Sequence, residues 1–359
     1  MGRKWAAELA VLVAVVLFAV AMAHPRFALR NSHPKRGALV QKVNMNGPYF
    51  AILMTFAKEL NALVNADVFT ANSDVPYIEI AGRIFNIGTI KGVNVIYVMS
   101  GEQMVNAALT MQILIDTFDL YGIIHYGIAG SSNNSLTFGS VSVVKYAAFT
   151  ASWHWQSIWN CFLSMHTGIQ LYGTSDNVAM KFGSYNYPEA GGNLLGTIEF
   201  DTTEFYSPTI NTTVGKTKVF WFEVDSELYD IAATYLTDVK LDSEVNSTYT
   251  LPVEPKVAFG LYGGTADTFL HNAAFRDFLY NNFNVSTTDE ETASVIMVSN
   301  SNEVPCIVFR SVSDMSGSEK IPGAYELLAA KNAVIAVVKY LEVIGDVYGL
   351  ARKSSNQTC

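Results

Sequence analysis

The feature that most constrains the fold of this chain is an apolar segment, residues 304–309, that gives way abruptly to polar side chains. Those side chains are Arg310, Ser311, Ser313 and Asp314. The pattern predicts a short buried strand with an acid at its carboxyl end. Because ligands of open α/β sheets bind beyond the carboxyl ends of the strands, this acid is a candidate for a functional site. The same pattern also fits a buried strand followed by a solvated acidic turn.

A second group of acids lies just upstream of that strand. Asp289, Glu290 and Glu291 precede a helical pattern over residues 292–300, which leads back into the predicted strand. Two groups of carboxylates therefore flank one strand, which favours a functional site. A structural role stays open, since an acid at the start of a helix is favoured by the helix dipole alone.

Composition and charge narrow the class of protein. Charged residues make up only 15% of the chain and aromatic residues 12%, which predicts a large buried core rather than disorder. A length of 359 residues allows one large α/β domain or two small ones. The formal net charge of −9 argues against a general nucleic-acid-binding protein, whose binding surface is basic.

The N-terminus has the pattern of a targeting sequence. Arg3 and Lys4 precede an apolar run over residues 9–20, which predicts a cleaved secretory signal peptide at residues 1–23. A retained anchor is the alternative, although the run is short for a membrane span and no later stretch of about 20 apolar residues follows. The mature protein is therefore predicted to have no membrane segment. The polar and basic residues 24–48 are predicted to be a loosely ordered leader.

Five glycosylation sequons agree with passage through the secretory pathway. They begin at Asn133, Asn211, Asn246, Asn284 and Asn356. The sequence predicts a protein that is secreted or delivered to the vacuole, and it does not say which sequons carry a glycan.

Cysteine and histidine usage predicts neither a disulfide framework nor a metal site. The chain has only Cys161, Cys306 and Cys359. Cys306 lies in the apolar segment and is predicted to be a small buried hydrophobe, whereas the other two are free to pair or to stay apart. His125, inside an apolar run, is predicted to be a satisfied core residue. No ligand spacing indicates a metal, and no cofactor is predicted.

Strands and helices are predicted to alternate along most of the chain, which indicates a layered α/β fold. Apolar alternation and continuous apolar runs predict strands at residues 49–54, 77–80, 83–90, 93–99, 122–130, 140–149, 218–222 and 257–261. Helical periodicity predicts helices at residues 56–64, 103–118, 226–236, 268–281 and 324–344. The segment 151–215 is predicted to be irregular, and residues 237–255 to be a polar loop. The strand at 122–130 is expected to end in a glycine turn that a ligand can approach closely.

Several segments, in this order and spacing, resemble the nucleoside phosphorylase and nucleosidase superfamily. They are Gly82-Arg-Ile-Phe-Asn-Ile-Gly-Thr-Ile-Lys-Gly92, Gly101-Glu-Gln-Met-Val-Asn-Ala-Ala108, Gly127-Ile-Ala-Gly130, Asp289-Glu-Glu291 and Arg310-Ser-Val-Ser-Asp314. The resemblance covers residues 49–345 and is nearest to the secreted plant bark and vegetative storage proteins. Those proteins resemble 5′-methylthioadenosine/S-adenosylhomocysteine nucleosidases with a signal peptide and an extra middle segment. The resemblance implies a three-layer α/β sandwich with a central mixed β-sheet at residues 49–350, in which 151–215 is the inserted segment.

The resemblance also implies cleavage of the N-glycosidic bond of a purine nucleoside. That reaction needs an acid at the departing base, a carboxylate that activates water and a group that holds the ribose hydroxyls. By the resemblance, Asp314 protonates purine N7, with Ser313 beside it. Glu291 matches the residue that binds the ribose hydroxyls, and Glu59 matches the base that activates water. Each of the three acids also has a structural alternative. Asp314 fits a strand-end cap, Glu291 fits a charge at a helix start, and Glu59 fits a solvated helix residue.

The same resemblance assigns the rest of the substrate site. Phe269 matches the aromatic residue that stacks on the base, with Leu270 offering backbone contacts. Ala129 and Gly130 match the turn near the sugar. Glu290 stands where the bacterial enzymes have methionine, which adds a charge near the ribose and puts a preference for thio-substituted nucleosides in doubt. An aromatic residue at the start of a helix is also often a core residue.

Two further observations bear on the reaction. Residues 54–57 depart from the Gly-Ala-Met-Glu pattern of the bacterial enzymes, and Ile128 replaces a small hydroxyl residue. Residues 101–108 and 127–135 contain no Arg or Lys to hold phosphate, so water is the predicted acceptor. Arg310 is predicted to be structural or to support the site residues without touching the substrate.

Two functions therefore compete. The first is a secreted nucleosidase that hydrolyses purine nucleosides, and the second is a nitrogen-storage protein that keeps the fold with little or no activity. A phosphorylase is disfavoured by the missing cations. The resemblance further implies a homodimer whose only ligand is a small-molecule nucleoside.

Overall fold

The computed structural model describes residues 34–156, 179–181, 197–208, 216–317 and 323–350. The chain divides into two compact units, Met1–Asn46 and Gly47–Cys359. In the first unit the described residues form helix α1 (Pro34–Asn44). The prediction of a loosely ordered leader is thus wrong for this stretch, where proline at the first turn and several good helix formers favour a helix. The predicted signal peptide lies outside the described residues.

The second unit carries the strands and the remaining described helices. In chain order the strands are β1 (Tyr49–Met54), β2 (Phe69–Ala71), β3 (Tyr77–Ile80), β4 (Arg83–Ile90), β5 (Val93–Met99), β6 (Leu120–Ser131), β7 (Val141–Phe149), β8 (Trp153–Gln156), β9 (Ala179–Lys181), β10 (Thr197–Phe200), β11 (Thr203–Tyr206), β12 (Lys216–Val219), β13 (Phe222–Glu223), β14 (Glu244–Asn246), β15 (Tyr249–Thr250), β16 (Val257–Thr265), β17 (Val285–Asp289) and β18 (Cys306–Met315). The helices are α2 (Ala57–Asn65), α3 (Met104–Thr117), α4 (Ser226–Tyr235), α5 (Ala273–Phe283), α6 (Thr292–Asn302) and α7 (Gly323–Val347).

A large mixed β-sheet forms the centre of this unit. Within the described residues it has eleven strands, in the order β13-β7-β16-β17-β6-β1-β5-β4-β2, with β18 between β6 and β7 and β3 on β4. Strand β1 is parallel to β5 and β6, and β18 is parallel to β6, whereas β4 and β5 form an antiparallel hairpin. Strands β1 and β18 are almost wholly buried, as predicted by the continuous apolar run of β1 and by the apolar first half of β18.

Helices pack against the sheet and against one another. Helix α7 packs on β18 and β6 and also contacts α2 and α4. Helix α3 packs against α6, which contacts β16. The α7 residues that face inward recur at helical spacing, including Val334, Val337 and Leu341. A central mixed sheet with flanking helices confirms the predicted fold class.

The strands that carry the candidate site are longer than predicted. Strand β18 does not stop at residue 309 but continues through Asp314, and β6 continues through Gly130 to Ser131 instead of turning. The two strands pair along their whole length, so polar side chains stay within the ladder. Strand β17 was not predicted, because its sequence Val-Ser-Thr-Thr-Asp lacks an apolar run although its β-branched residues favour a strand.

The described parts of residues 151–215 are not irregular. Strands β8, β10 and β9 form a small antiparallel sheet, and β11 pairs with β12. Phe200 of β10 is buried in a cluster with Phe220, Leu279 and Phe283. Aromatic packing therefore orders a stretch whose Gly- and Asn-rich composition suggested a loop. The domain boundaries themselves stay a prediction.

Several element boundaries also differ from the predictions. Helix α5 begins at Ala273, because the Asn272 side chain accepts a 2.9 Å hydrogen bond from the Phe275 N–H and caps it. The strand predicted at 218–222 is split between β12 and β13, and the predicted loop at 237–255 contains the β14–β15 hairpin. Helix α7 passes through Gly345 instead of ending there.

Only some of the sequons and cysteines lie within the described residues. Asn246 and Asn284 are exposed, whereas Asn133 is partly buried and its side chain donates to Ser286 Oγ at 3.3 Å. Cys306 is fully buried, as predicted. The other cysteines and sequons lie outside the described residues. Among the described residues, no helix combines the length and apolar character that a membrane crossing requires.

Candidate active site

A cleft of about 230 Å³ lies at the carboxyl ends of β1 and β18. Its walls include all but one of the residues that the sequence assigned to the site. These are Glu59, Ala129, Gly130, Phe269, Glu290, Glu291, Ser313 and Asp314. Leu270 instead lines a smaller adjoining cavity of about 40 Å³ and packs against the aromatic cluster around Phe200.

Glu59 is held at the start of α2 by a ring of donors. Its Oε2 accepts from the Thr55 N–H at 2.7 Å and from the Thr55 hydroxyl at 3.1 Å, and its Oε1 accepts from the Ile128 N–H at 2.9 Å. The side chain is 1% exposed, so it is not a solvated helix residue. Burial raises the pKa of this carboxyl from 4.5 to about 7, against the opposing charge of Arg310.

Glu291 lies at the N-cap position of α6, but its side chain turns into the cleft instead of capping the helix. Its Oε2 accepts a 2.9 Å hydrogen bond from Arg310 Nη2, and its Oε1 accepts from the Gln103 N–H at 3.1 Å. Burial raises the pKa of Glu291, while Arg310 opposes the shift. Gln103 has φ of 75° and ψ of 160°, a strained backbone conformation that aims its N–H at this carboxylate.

Asp289 caps the start of α6, where the sequence offered a helix-start charge as the alternative role of Glu291. Its Oδ1 accepts from the Glu291 N–H at 3.0 Å and from the Thr292 N–H at 2.8 Å. Its Oδ2 lies 3.4 Å from Arg310 Nε. Of the three consecutive acids at 289–291, the first therefore anchors the helix and leaves the third free for the cleft.

Asp314 sits beside an irregularity in β18. The register with β6 shifts between Val312 and Asp314, which leaves Ser313 as the extra residue of a β-bulge. The Ser313 hydroxyl donates to Asp314 Oδ2 at 2.8 Å. Burial raises the pKa of Asp314, although the Ser313 bond and the charge of His271 oppose it. A strand-end cap therefore does not describe this residue.

The glycines of the 127–130 segment make room for side chains inside a strand. The expected glycine turn is therefore wrong, although Ala129 and Gly130 line the cleft. A Cβ atom on Gly127 would overlap Arg310 Nη1 and Glu59 Oε1. A Cβ atom on Gly130 would overlap the Ser316 hydroxyl and lie 3.2 Å from Asp314 Oδ1. The two strands thus bring the acids together only where β6 carries no side chain.

Phe269 and Glu290 form the open rim of the cleft. Phe269 is 67% exposed and stacks on His271 with the ring centroids 6.4 Å apart, so it is not a core residue. Glu290 is half-buried. Burial and the nearby carboxylates of Glu291 and Glu102 raise its pKa.

The position of Arg310 in the wall of the cleft was not predicted from the sequence. Residues 101–108 and 127–135 lack cations, yet β18 brings this guanidinium into the cleft wall, so the premise of a cation-free site is corrected. Its side chain is 1% exposed and is engaged by Glu291, Asp289 and Thr292. Only the strand pairing reveals it, because Arg310 lies opposite Gly127. Among the described residues, no group of three His, Cys, Asp or Glu is arranged to hold a metal ion.

Comparison with known proteins shows the family. The family model of the phosphorylase superfamily matches residues 49–342. The chain belongs to the phosphorylase superfamily. The match includes every residue of the cleft and confirms the resemblance that the sequence motifs predict.

Within the phosphorylase superfamily, two kinds of relative align over most of the chain. Bark storage protein A of Populus deltoides is 34% identical over 310 residues, which cover 86% of this chain and 93% of the relative. The 5′-methylthioadenosine/S-adenosylhomocysteine nucleosidase of Listeria innocua is 25% identical over 284 residues, covering 77% and 95%.

Solved structures of the phosphorylase superfamily share the fold. The 5′-methylthioadenosine/S-adenosylhomocysteine nucleosidase of Helicobacter pylori with butyl-thio-DADMe-Immucillin-A aligns with a TM-score of 0.53 at 19% identity, over 83% of this chain and 98% of that one. Futalosine hydrolase of the same species aligns with a TM-score of 0.52 at 18% identity, over 83% and 97%. At these identities the likeness supports the fold alone.

Proposed function

We propose that this protein is a purine nucleosidase that cleaves the N-glycosidic bond with water. The observation that carries the proposal is the meeting of Glu59, Glu291 and Asp314 in one cleft, although they lie on α2, at the start of α6 and on β18. Each has a raised pKa and a different set of hydrogen-bond partners. Buried acids with separate environments are typical of acid–base sites.

Asp314 is the proposed leaving-group acid. Burial keeps its carboxyl protonated to higher pH than an exposed aspartate, so it has a proton to give to purine N7. As the C1′–N9 bond breaks, its electron pair moves into the base. The Ser313 hydroxyl, 2.8 Å from Oδ2, then stabilises the carboxylate that is left behind.

Glu59 is the proposed base. With a pKa of about 7 its carboxylate is partly ionised near neutral pH, which suits removal of a proton from water. The water oxygen forms the new bond to C1′, and its proton goes to Glu59. The free sugar and the neutral base are then the products.

Glu291 is the proposed sugar-binding group. One bond from Arg310 and one from Gln103 leave lone pairs on its carboxylate, which has about four acceptor sites. A ribose hydroxyl can therefore donate to it while Arg310 keeps it ionised. The hydrogen bond to a developing oxocarbenium sugar strengthens as charge builds.

Water is favoured over phosphate by the charge of the cleft. The described walls carry several acidic residues and Arg310 as their cation, and the acids are Glu59, Glu102, Asp289, Glu290, Glu291, Asp314 and Glu326. Arg310 is already bound to two buried acids. Among the described residues of the cleft, a phosphate anion would meet repulsion without a free cation to bind it.

The test is release of free base from adenosine and from methylthioadenosine, each with and without phosphate. We expect base release that does not depend on phosphate, and its loss in Asp314→Asn. The matched control is Asp230→Asn, an exposed residue of α4 outside this cleft. No base from either nucleoside with the wild type, or an Asp314→Asn variant as active as the control, would overturn the proposal.

The second candidate function is nitrogen storage with little or no catalysis. It is favoured by the 34% identity with bark storage protein A over 86% of the chain. Phe56 and Glu290 in the cleft, where the bacterial pattern differs, agree with divergence from those enzymes. An inactive wild-type protein that accumulates and is later degraded in its tissue would support storage.

Location and assembly are further parts of the proposal. We propose that residues 1–23 direct the chain into the secretory pathway, towards the cell exterior or the vacuole, and that the protein is a homodimer. N-terminal sequencing of the mature protein and light scattering after gel filtration test these points. A mature chain that begins at Met1, or a monomeric mass, would contradict them.

A further inference from the structure

A buried imidazole lies behind the acids of the cleft. His125 is in the middle of β6, paired with Leu53 of β1 on one side and Val308 of β18 on the other. It is fully buried and does not line the cleft. Its Nδ1 lies 3.1 Å from the Leu53 carbonyl oxygen and its Nε2 lies 2.6 Å from Arg310 Nη2.

These two partners determine the tautomer of the ring. A carbonyl oxygen only accepts a hydrogen bond and a guanidinium only donates, so Nδ1 carries the hydrogen and Nε2 accepts from Arg310. Burial, together with the charge of Arg310, lowers the pKa of His125 well below 6.5. The imidazole therefore stays neutral, since a proton on Nε2 would point at a cation.

Arg310 is oriented from several sides. Its Nη2 group has two hydrogens, of which one points to His125 and the other to Glu291 Oε2 at 2.9 Å. Its Nε donates to Thr292 Oγ1 at 2.9 Å, and its Nη1 donates to the Ile128 carbonyl oxygen at 3.3 Å. Because the guanidinium is planar, the acceptor at His125 sets the direction of the hydrogen that reaches Glu291.

We propose that His125 is a positioning residue whose neutral imidazole holds Arg310 against Glu291 and close to Glu59. This inference rests on the proposed nucleosidase function. The residue contacts no substrate and acts through Arg310. Its role differs from that of a satisfied core histidine, because the hydrogen-bonded partner is the cation that stabilises the ionised forms of both glutamates.

The charge of Arg310 gives the inference a measurable consequence. The groups coupled to the carboxyl of Glu59 are Arg310 on β18, Glu291 at the start of α6 and Tyr126 on β6. Of these, Arg310 alone is a cation and lowers the pKa of Glu59. If Arg310 moves away, the pKa of Glu59 rises. As the pH falls, activity that requires the ionised base is then lost at a higher pH than in the wild type.

Two substitutions separate positioning from packing. Asparagine at residue 125 can still donate to the Leu53 carbonyl but is too short to reach Arg310. Glutamine is one methylene longer, so its amide oxygen can replace Nε2 as acceptor. Both substitutions leave a polar side chain at this buried position. Only glutamine is long enough to keep the bond to Arg310. His154→Asn on exposed β8 is the matched control.

For adenosine hydrolysis we expect kcat of His125→Asn to fall on the order of 10- to 100-fold, as for other residues that orient a site from behind. The acid limb of its pH profile should move to higher pH. His125→Gln should recover most of the kcat and the wild-type limb. If His125→Asn has the kcat of the wild type and the same acid limb in its pH profile, the inference is overturned. Equal losses in both variants with an unmoved limb would mean that the imidazole only fills space.

Readouts without catalysis keep the inference separate from the proposed function. If the wild type releases no base, the nucleosidase proposal fails, but crystal structures of the three proteins still test the geometry. The Arg310–Glu291 bond of 2.9 Å should persist in the wild type and His125→Gln and break in His125→Asn. Its persistence in His125→Asn would refute positioning.

Should the variants not fold, histidine-labelled wild-type protein gives the answer by nitrogen NMR. A neutral ring with hydrogen on Nδ1 is expected from about pH 5 to 8, the range in which free histidine titrates. A charged ring at the lower end of that range, or hydrogen on Nε2, would overturn the inference.

Discussion

The two ends of the cleft are built differently. The water end, formed by Glu59, Glu291 and Arg310, is buried, and each of its side chains has several hydrogen-bond partners. At the base end, formed by Ser313, Asp314 and Phe269, the Asp314 carboxylate accepts from Ser313 among the described residues and Phe269 is largely exposed.

This difference indicates how the site divides its work. The water end is organised by the chain alone, because Arg310 offsets part of the charge of the buried carboxylates around it and each side chain has hydrogen-bond partners. Among the described residues the base end has no such network, and in the proposed reaction a bound purine would complete it. Substitutions at the water end should therefore change stability, whereas substitutions at the base end should change binding with little effect on stability.

The largest effect is expected for Arg310→Met. It removes the cation that pairs with Glu291 and Asp289 and leaves buried carboxylates uncompensated, so the free energy of unfolding should fall by about 3–5 kcal/mol. Urea unfolding measures this. Lys339→Met, which breaks the exposed pair with Glu342, is the control and should cost less than about 1 kcal/mol. If both substitutions lower the free energy of unfolding by the same amount, the water end is no more dependent on its ion pairs than the surface is.

Glu59→Gln should change how stability depends on pH. The pKa of Glu59 is raised in the folded state, so the carboxyl stabilises the fold below its ordinary 4.5, and this contribution is lost as pH rises through about 7. Relative to the variant, the wild type should lose on the order of 3 kcal/mol of unfolding free energy over that window. Urea titrations across pH test this.

Asp314→Asn is the comparison for that experiment. Its pKa is also raised by burial, but the residue is nearer the open end, so its pH dependence should have the same sign and a smaller size. If the unfolding free energy of the wild type and that of Glu59→Gln depend on pH in the same way, Glu59 has the same pKa in the folded and unfolded chains.

Gly127→Ala should destabilise the water end by about 1–3 kcal/mol, because its Cβ atom overlaps two charged side chains that have no space to move. Gly130→Ala should cost less, since the first atom in its way is the Ser316 hydroxyl, which can rotate. Gly323→Ala, whose Cβ atom would have no heavy atom of the described residues within 4 Å, is the control. Thermal unfolding ranks the three, and a Gly130→Ala cost above that of Gly127→Ala would reverse the comparison.

The sequence predicted the strands and the acids better than it predicted their partners. Strand β1 is a continuous apolar run and β18 begins with one, and such runs are visible locally. The contact of Arg310 with Glu291 and with His125 joins residues on different strands and a helix start. No local pattern contains it, because it depends on strand order and register.

Polar strands and glycines were misread for a related reason. Strand β17 was not predicted from its polar sequence, although it is paired on both sides within the sheet. Gly130 was predicted to lie in a turn, although it lies in β6 and leaves space for polar side chains. In both cases tertiary contacts outweighed the local preference on which the prediction rested.

The smallest effect on stability is expected for Phe269→Ala. The ring is 67% exposed, so the free energy of unfolding should change by no more than about 0.5 kcal/mol. If the ring stacks on the purine, KM should rise by roughly 5- to 150-fold, from about 1–3 kcal/mol of stacking energy. Steady-state kinetics and urea unfolding are measured together, with Tyr77→Ala on exposed β3 as control. An unchanged KM would exclude Phe269 as the base platform, whereas a large loss of stability would make it a core residue and erase the distinction between the two ends.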